Sequence, residues 1–154
     1  MQVPKRLEEA LREEAKNRGI DEEVLLIDKL ARDLDPKTRA ELYEEKALEL
    51  LEEARAYLER KDLVQASEKA WGACASAVKA FAEKEGMEHY RHRQLEEAAS
   101  RILTQERSED LLSGWSVCLR LHANFYDNFM TEDEVRIALK IAEGFVKKVV
   151  SLTK

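Results

Sequence analysis

The sequence predicts an all-α protein. Only 5 of its 154 residues are Gly and 2 are Pro, so few positions favour turns. Charged residues make up 38% of the chain and hydrophobic residues 44%, and most belong to the types that favour helices. Apolar residues recur at spacings of three and four along most of the chain. We therefore expect an up-and-down bundle of four to five helices with an N-terminal helical hairpin.

The predicted hairpin occupies residues 1–35. Pro4 opens its first helix, and Gly19 is suited to a left-handed C-cap at the end of that helix. Asp21 can cap the second helix, which covers EEVLLIDKLARDL. We place a boundary near residues 35–36 and leave open whether the hairpin is separate from the bundle or docks onto it.

The bundle is predicted over residues 36–154. Its helices are marked by N-cap residues, two of which have a partner at capping-box spacing: Asp35, Asp62 with Gln65, Ser108, and Thr131 with Glu134. Pro36 adds the proline that is common at the first position of a helix. A more polar helix near residues 94–107 is expected at the edge of the bundle.

The last predicted helix is apolar on more than one side. Val135, Leu139 and Ala142 belong to its main stripe, and Ile137 and Ile141 widen that stripe. One neighbouring helix would not cover so much apolar surface. We therefore expect part of it to meet a second subunit, which makes a homodimer, or the N-terminal hairpin.

Composition excludes several classes of protein. The net charge of −6 argues against a protein that coats duplex DNA with a broad basic surface. No apolar run approaches the roughly 20 residues that cross a bilayer, and MQVPKRLEEA lacks the apolar core of a signal peptide. We expect a cytoplasmic protein that does not contact membranes.

Neither a metal nor a cofactor is predicted. Cys74 and Cys118 lie in apolar helical settings without CxxC spacing, so we expect buried reduced thiols and no disulfide. Zinc bound by His89, His92 and His122 would lack a closing thiolate and a recognised motif. Gly-rich phosphate loops, GxSxG and HExxH are also absent from the sequence.

The stretch LRLHANFYDNF, residues 119–129, places polar side chains on a helix that otherwise faces the interior. In one interpretation His122 is a core histidine whose ring nitrogens find partners. In the other, His122, Asn124 and Asn128 line a cleft with help from Arg120, where imidazole and amide groups bind phosphate or orient a ribose hydroxyl. The residues alone leave both interpretations open.

A second candidate site consists of Tyr90, Arg91, His92 and Arg93, at or just before the start of a helix. Cations there oppose the helix dipole, so they require either acidic partners or a bound anion. An aromatic ring beside arginines can stack on a nucleobase while the guanidinium groups hold phosphate. This segment is the best predicted ligand-binding patch in the chain.

Three separated segments, DLVQASEKAWGA, HRQL and LHANFYDN, carry a family resemblance. From about Lys46 onwards the chain resembles the archaeal PaREP family, an uncharacterised group of all-helical proteins. That family is similar to the HEPN superfamily, whose dimeric helical bundles include RNases, RNA-binding proteins and partners of minimal nucleotidyltransferases. The resemblance implies a HEPN-like homodimer with RNA, a nucleotide or a nucleotidyltransferase-type protein as its partner.

Ribonucleases of the HEPN superfamily carry an arginine followed, on the same helix, by a histidine. Here residues 125–127, Phe-Tyr-Asp, stand where that histidine would follow Arg120. If the motif instead begins at His122, Asn128 replaces the histidine, and an amide cannot act as the general base. The resemblance therefore implies a degenerate site at best.

The leading functional prediction is a binding module without catalysis, or with very weak catalysis, for RNA, a nucleotide or a protein partner. The alternative is a metal-independent ribonuclease of toxin type with a degenerate active site. In that alternative His122 would handle the proton and Asn124 would orient the substrate. Arg120 or Arg91 would stabilise the charge of the phosphorane.

The first 34 residues separately look like the two helices of a ribbon-helix-helix protein. Such proteins read DNA with a strand that precedes the first helix, and only residues 1–3 stand before Pro4 here. This likeness implies a helical dimerisation element and not DNA recognition.

Overall fold

The computed structural model describes all 154 residues and contains seven α-helices and no strand. The helices are α1 (Lys5–Arg18), α2 (Glu22–Leu30), α3 (Pro36–Glu59), α4 (Leu63–Lys84), α5 (His92–Glu106), α6 (Glu109–Asp127) and α7 (Glu132–Leu152), with a 3-10 turn at Ala31–Asp33. The all-α prediction is confirmed. The count of four to five helices is too low, because the hairpin and the polar segment before residue 107 also form complete helices.

Helix ends follow the capping signals of the sequence. Four predicted N-caps accept a backbone N–H from the first turn of their own helix: Asp21, Asp35, Ser108 and Thr131. Asp62 likewise accepts from the backbone of Gln65, but the return bond of a capping box is missing. The backbone N–H of Asp62 instead donates to the carbonyl of Tyr57.

Helix α4 is the central helix and packs against α3, α5, α6 and α7. Small residues on it are buried almost completely, among them Ala66, Ala70, Ala73 and Ala77. Small side chains let neighbouring helices approach closely, so the core follows the length of α4. The up-and-down order of the bundle stays a prediction.

The hairpin docks onto the bundle at the turn between α1 and α2. Trp71 of α4 donates its ring N–H to the carbonyl of Gly19 at 2.9 Å, and Val24 of α2 is fully buried in the core. Gly19 has a φ of 65°, and a Cβ added there would lie 2.9 Å from the ring of His122. Only glycine meets both requirements, the positive φ and the close approach.

A disulfide joins Cys74 of α4 to Cys118 of α6. The two residues are fully buried, as predicted, but the expectation of reduced thiols is wrong. Their Cα atoms are 6.3 Å apart, within the usual range for a disulfide. The pairing depends on how α4 and α6 approach each other, which residue spacing along the chain does not reveal.

Helix α7 buries its main stripe and exposes part of the second one. Val135 and Ala142 are buried, whereas Ile137 and Ile141 are 62% and 40% exposed. No residue of the hairpin lines the shallow depression that contains these two isoleucines. The hairpin therefore does not cover this depression, contrary to one of the two predicted alternatives. The apolar surface of the depression faces outwards.

None of the seven helices has the length and apolar character that a membrane span requires. The cytoplasmic location stays a prediction.

Candidate functional site

A buried polar network fastens α2 to α3, α4 and the segment before α5. Lys79 of α4 donates to both carboxylate oxygens of Asp28, at 3.0 and 3.2 Å, and to the backbone carbonyl of His89 at 2.9 Å. The hydroxyl of Tyr43 donates to the same carboxylate. All four side chains are at most 2% exposed. Because an unpaired buried charge is very costly, these groups depend on one another.

His89 extends the network to the surface. Its Nε2 lies 2.8 Å from Glu83 Oε2, and Arg39 donates to the other oxygen of Glu83 at 3.0 Å. Burial lowers the pKa of His89. Burial alone would raise the pKa of Glu83, but the hydrogen bonds from His89 and Arg39 outweigh it and lower that pKa. Glu83 is therefore the acidic partner of His89.

A cleft of about 450 Å³ lies beside this network, between the end of α1, α4 and the start of α5. Its wall contains four Lys or Arg side chains and two histidines: Arg18, Arg32, Lys79, Arg91, His89 and His92. None of its 13 lining residues is Asp or Glu, although the chain has 32 acidic residues. We call this the cationic cleft, and its local potential attracts anions.

Lys79 and Arg18 of the cationic cleft pair with Asp28 and Glu14, but its other two Lys or Arg side chains lack a carboxylate partner. Arg32 donates to the backbone carbonyl of Asp28 at 3.1 Å and lies 4.5 Å above the ring of Tyr90. The ion pairs of segment 89–93 involve only its first and last residues, which leaves Arg91 and His92 without one. Simple ion pairing therefore does not account for the two residues at the start of α5.

Arg93 does not belong to the cationic cleft. Its side chain is 91% exposed and lies 3.3 Å from the carboxylate of Glu97, one turn further along α5. Of the predicted ligand-binding patch, the structure thus brings Tyr90, Arg91 and His92 together and leaves Arg93 in solvent.

His122 lies in a second depression, of about 290 Å³, which shares Gly19, Ile20 and Trp71 with the cationic cleft. Its ring stacks on Trp71 with the ring centres 4.4 Å apart, and its Nδ1 has no hydrogen-bond partner. Burial, with a smaller effect of His92, lowers the pKa of His122 to about 4, so the ring is neutral at pH 7. The interpretation of His122 as a core histidine whose ring nitrogens both find hydrogen-bond partners is therefore wrong for Nδ1.

Asn124 does not join His122 in a shared site. Its side chain is fully buried and donates to the hydroxyl of Ser67 at 2.9 Å. Its oxygen accepts the backbone N–H groups of Phe129 and Met130, both at 2.8 Å. Since all of these polar groups are satisfied, Asn124 holds the connection between α6 and α7 and has no free group for a ligand.

Arg120 and Asn128 also lie away from His122. Asn128 is the left-handed C-cap of α6 and lines a shallow depression near Asp62. Arg120 is exposed, with its guanidinium 4.9 Å above the ring of Phe129. Successive helix positions are rotated by about 100°, so these side chains leave α6 in different directions. The structure does not assemble the predicted group of His122, Arg120, Asn124 and Asn128.

Sequence reasoning missed Asp28, Lys79, Arg18 and Arg32. Lys79 had a detectable signal, because it is the one charged residue in the run WGACASAVKAFA. A lone charge in such a run predicts a buried partner of opposite sign. Arg18 and Arg32 had no comparable signal, because only the docking of the hairpin brings them to α5. The structure contains no group of three His, Cys, Asp or Glu side chains arranged to hold a metal ion.

Comparisons with known proteins identify a family. No curated protein and no solved structure matches the chain significantly. A family model described as the archaeal PaREP1/PaREP8 family matches residues 42–146, more than half of the chain. This region includes Lys79, segment 89–93 and His122 but not α1 and α2. The chain therefore belongs to the archaeal PaREP1/PaREP8 family.

Proposed function

We propose that the protein binds a phosphate-bearing ligand, RNA or a nucleotide, in the cationic cleft. One observation carries this proposal: no Asp or Glu lines the cleft, and two of its four Lys or Arg side chains, Arg32 and Arg91, have no carboxylate partner, in a chain whose net charge is −6. Guanidinium groups bind phosphate oxygens through paired, charge-assisted hydrogen bonds. Arg91 and His92 lie at the start of α5, where the helix dipole also favours a bound anion.

The distribution of charge on the protein favours a small or single-stranded ligand over a long duplex. Arg32 and Arg91 of the cationic cleft have no carboxylate partner, and no Asp or Glu lines the cleft, whereas the molecule as a whole is acidic. A long duplex would bring many phosphates against that acidic surface and lose affinity. A single nucleotide, or a short single-stranded segment, places its phosphate in the cationic cleft without this repulsion.

Replacing Arg91 by Gln is expected to weaken the binding of single-stranded RNA about tenfold, because one charge-assisted phosphate contact is lost. The matched control is Arg93→Gln, which removes the same charge two residues away but outside the cationic cleft. This variant should bind within about twofold of wild type. A fluorescence titration at two salt concentrations measures both, and the affinity of wild type should fall as salt rises.

Two outcomes would count against this proposal. Equal weakening by Arg91→Gln and Arg93→Gln would show a diffuse charge effect and no defined site. If wild type bound neither RNA nor a nucleotide at low salt, the proposal would be overturned and a protein partner would become the leading ligand. The nucleotidyltransferase-type partner implied by the sequence resemblance stays a prediction.

We propose that the bundle is HEPN-like, on the strength of the sequence resemblance, and that it acts by binding and not by catalysis. A ribonuclease would need a proton-handling group and a cation beside the same phosphate. Here burial lowers the pKa of His122 to about 4, which makes its ring a weak base, and Arg120 leaves α6 in another direction. These positions support a binding role more than the ribonuclease alternative.

We further propose that the protein is a homodimer through the outer face of α6 and α7. Ile137 and Ile141 of α7 are 62% and 40% exposed there, and Phe129 in the connection between α6 and α7 is 46% exposed. A second copy would remove such apolar side chains from water. Sedimentation velocity at high micromolar concentration should show a dimer for wild type and a monomer for Ile137→Lys with unchanged helix content. A monomeric wild type at that concentration would contradict the proposal.

A further inference from the structure

The depression that contains His122 differs in chemistry from the cationic cleft beside it. Aromatic rings line it, including those of His122, Phe125 and Tyr126, together with four carboxylates and three Lys or Arg side chains. It shares Gly19, Ile20 and Trp71 with the cationic cleft, so the two lie side by side. We call it the aromatic groove. Its carboxylates make it a less favourable place for phosphate than the neighbouring cleft, whose lining has none.

Glu68 of α4 is the carboxylate of the aromatic groove that lacks a partner. The other three are paired: Asp21 with Lys69, Glu22 with Arg12, and Glu23 with Lys46. Glu68 is partly buried, and burial raises its pKa. Glu68 and Tyr126 line the same groove, and burial, then the charge of Glu68, raise the pKa of Tyr126. The Glu68 carboxylate is therefore free to accept hydrogen bonds from a ligand that donates.

We infer that the aromatic groove binds the guanine base of a guanine nucleotide whose phosphate lies in the cationic cleft. The inference rests on the proposed function and specifies its ligand. Guanine presents two adjacent N–H donors on its Watson–Crick edge, which match the two oxygens of the Glu68 carboxylate. Adenine and cytosine present an acceptor beside their amino group, and uracil presents one N–H between two carbonyls. Each of these three bases would set an acceptor against the carboxylate.

The aromatic side chains of the groove provide a surface on which a nucleobase can stack. Tyr126 is 50% exposed and offers its ring for stacking, and the groove volume of about 290 Å³ is near the lower end for small-ligand pockets. The charge difference between groove and cleft then gives the nucleotide one orientation. The base faces Glu68, and the phosphate faces Arg91.

A free guanine nucleotide and a guanosine within single-stranded RNA share this chemistry. We therefore test both, with GMP, IMP and AMP as free nucleotides and with the oligonucleotides U4GU4 and U9 as RNA. Isothermal titration calorimetry measures each affinity. Wild type should bind GMP about tenfold more tightly than AMP, and U4GU4 more tightly than U9. IMP lacks the amino group of guanine and should bind between GMP and AMP.

The Glu68→Gln variant should lose this preference, because an amide offers one donor beside one acceptor. It should bind GMP and AMP within about twofold of each other and keep its affinity for AMP. Glu22→Gln is the matched control, since it makes the same change in the same groove at a carboxylate that is already paired. This variant should keep the preference for guanine.

The possible outcomes separate this inference from the proposed function. A guanine preference that only Glu68→Gln abolishes supports the inference, and the tighter of GMP and U4GU4 identifies the source of the nucleotide. Equal binding of GMP and AMP that still weakens in Arg91→Gln would overturn the guanine assignment and leave phosphate binding intact. A preference that survives in Glu68→Gln would also overturn it. If wild type bound none of the probes, both proposals would fail.

Discussion

Replacing Lys79 by Met is expected to lower the free energy of unfolding by about 3–5 kcal/mol. The ammonium group is 1% exposed and supplies the positive charge opposite Asp28, which is 2% exposed. Without it, the buried carboxylate keeps only the hydroxyl of Tyr43 as a side-chain donor. Such an uncompensated charge in the interior costs far more than the contact itself contributed. Urea unfolding followed by circular dichroism measures the change.

A surface lysine provides the matched control. Lys147 pairs with Glu143 on α7 at 2.9 Å, and its side chain is 62% exposed. Lys147→Met should therefore cost no more than about 0.5 kcal/mol. Adding Asp28→Asn to Lys79→Met should recover part of the lost stability, because it removes the uncompensated charge and keeps an acceptor for Tyr43. A loss below about 1 kcal/mol in Lys79→Met, or no recovery in the double variant, would contradict this account.

Reduction of the Cys74–Cys118 disulfide is expected to lower the free energy of unfolding by about 2–4 kcal/mol. The bond joins residues that are 44 positions apart, so breaking it gives the unfolded chain many more conformations. Urea unfolding with and without a phosphine reductant measures the difference. A thiol assay in denaturant should find no free thiol before reduction and two after it.

The double variant Cys74→Ala/Cys118→Ala separates the bond from other effects of the reductant. Its unfolding midpoint should be the same with and without reductant, because no disulfide is left to break. If wild type behaved in the same way, or if its two thiols reacted before reduction, the disulfide would be disproved.

The hairpin completes both parts of the proposed nucleotide site, although α1 and α2 lie outside residues 42–146, which the family model matches. It supplies Arg18 and Arg32 to the cationic cleft and the Gly19–Ile20 wall that the cleft shares with the aromatic groove. The Asp28–Lys79 pair fastens it to α4. Under the proposals made above, loss of hairpin docking would therefore also remove binding.

Helix boundaries could be read from the sequence because the forces that set them are local. Asp21, Ser108 and Thr131 bond to backbone N–H groups two or three positions ahead in the chain, and Gly19 adopts its own left-handed conformation. Such signals need no knowledge of the rest of the fold. The segment at the start of α5 was likewise recognised as cationic, and three of its four predicted ligand-binding residues line one cleft.

Contacts between distant residues could not be read in this way. Lys79 meets Asp28 across 51 positions, and Cys74 meets Cys118 across 44. Each pairing depends on how two helices are rotated and how closely they approach, and an error of one position turns a helical side chain by about 100°. For the same reason, the sequence alone did not show that Asn124 is sealed in the core while Arg91 opens into a cleft that carries no acidic side chain.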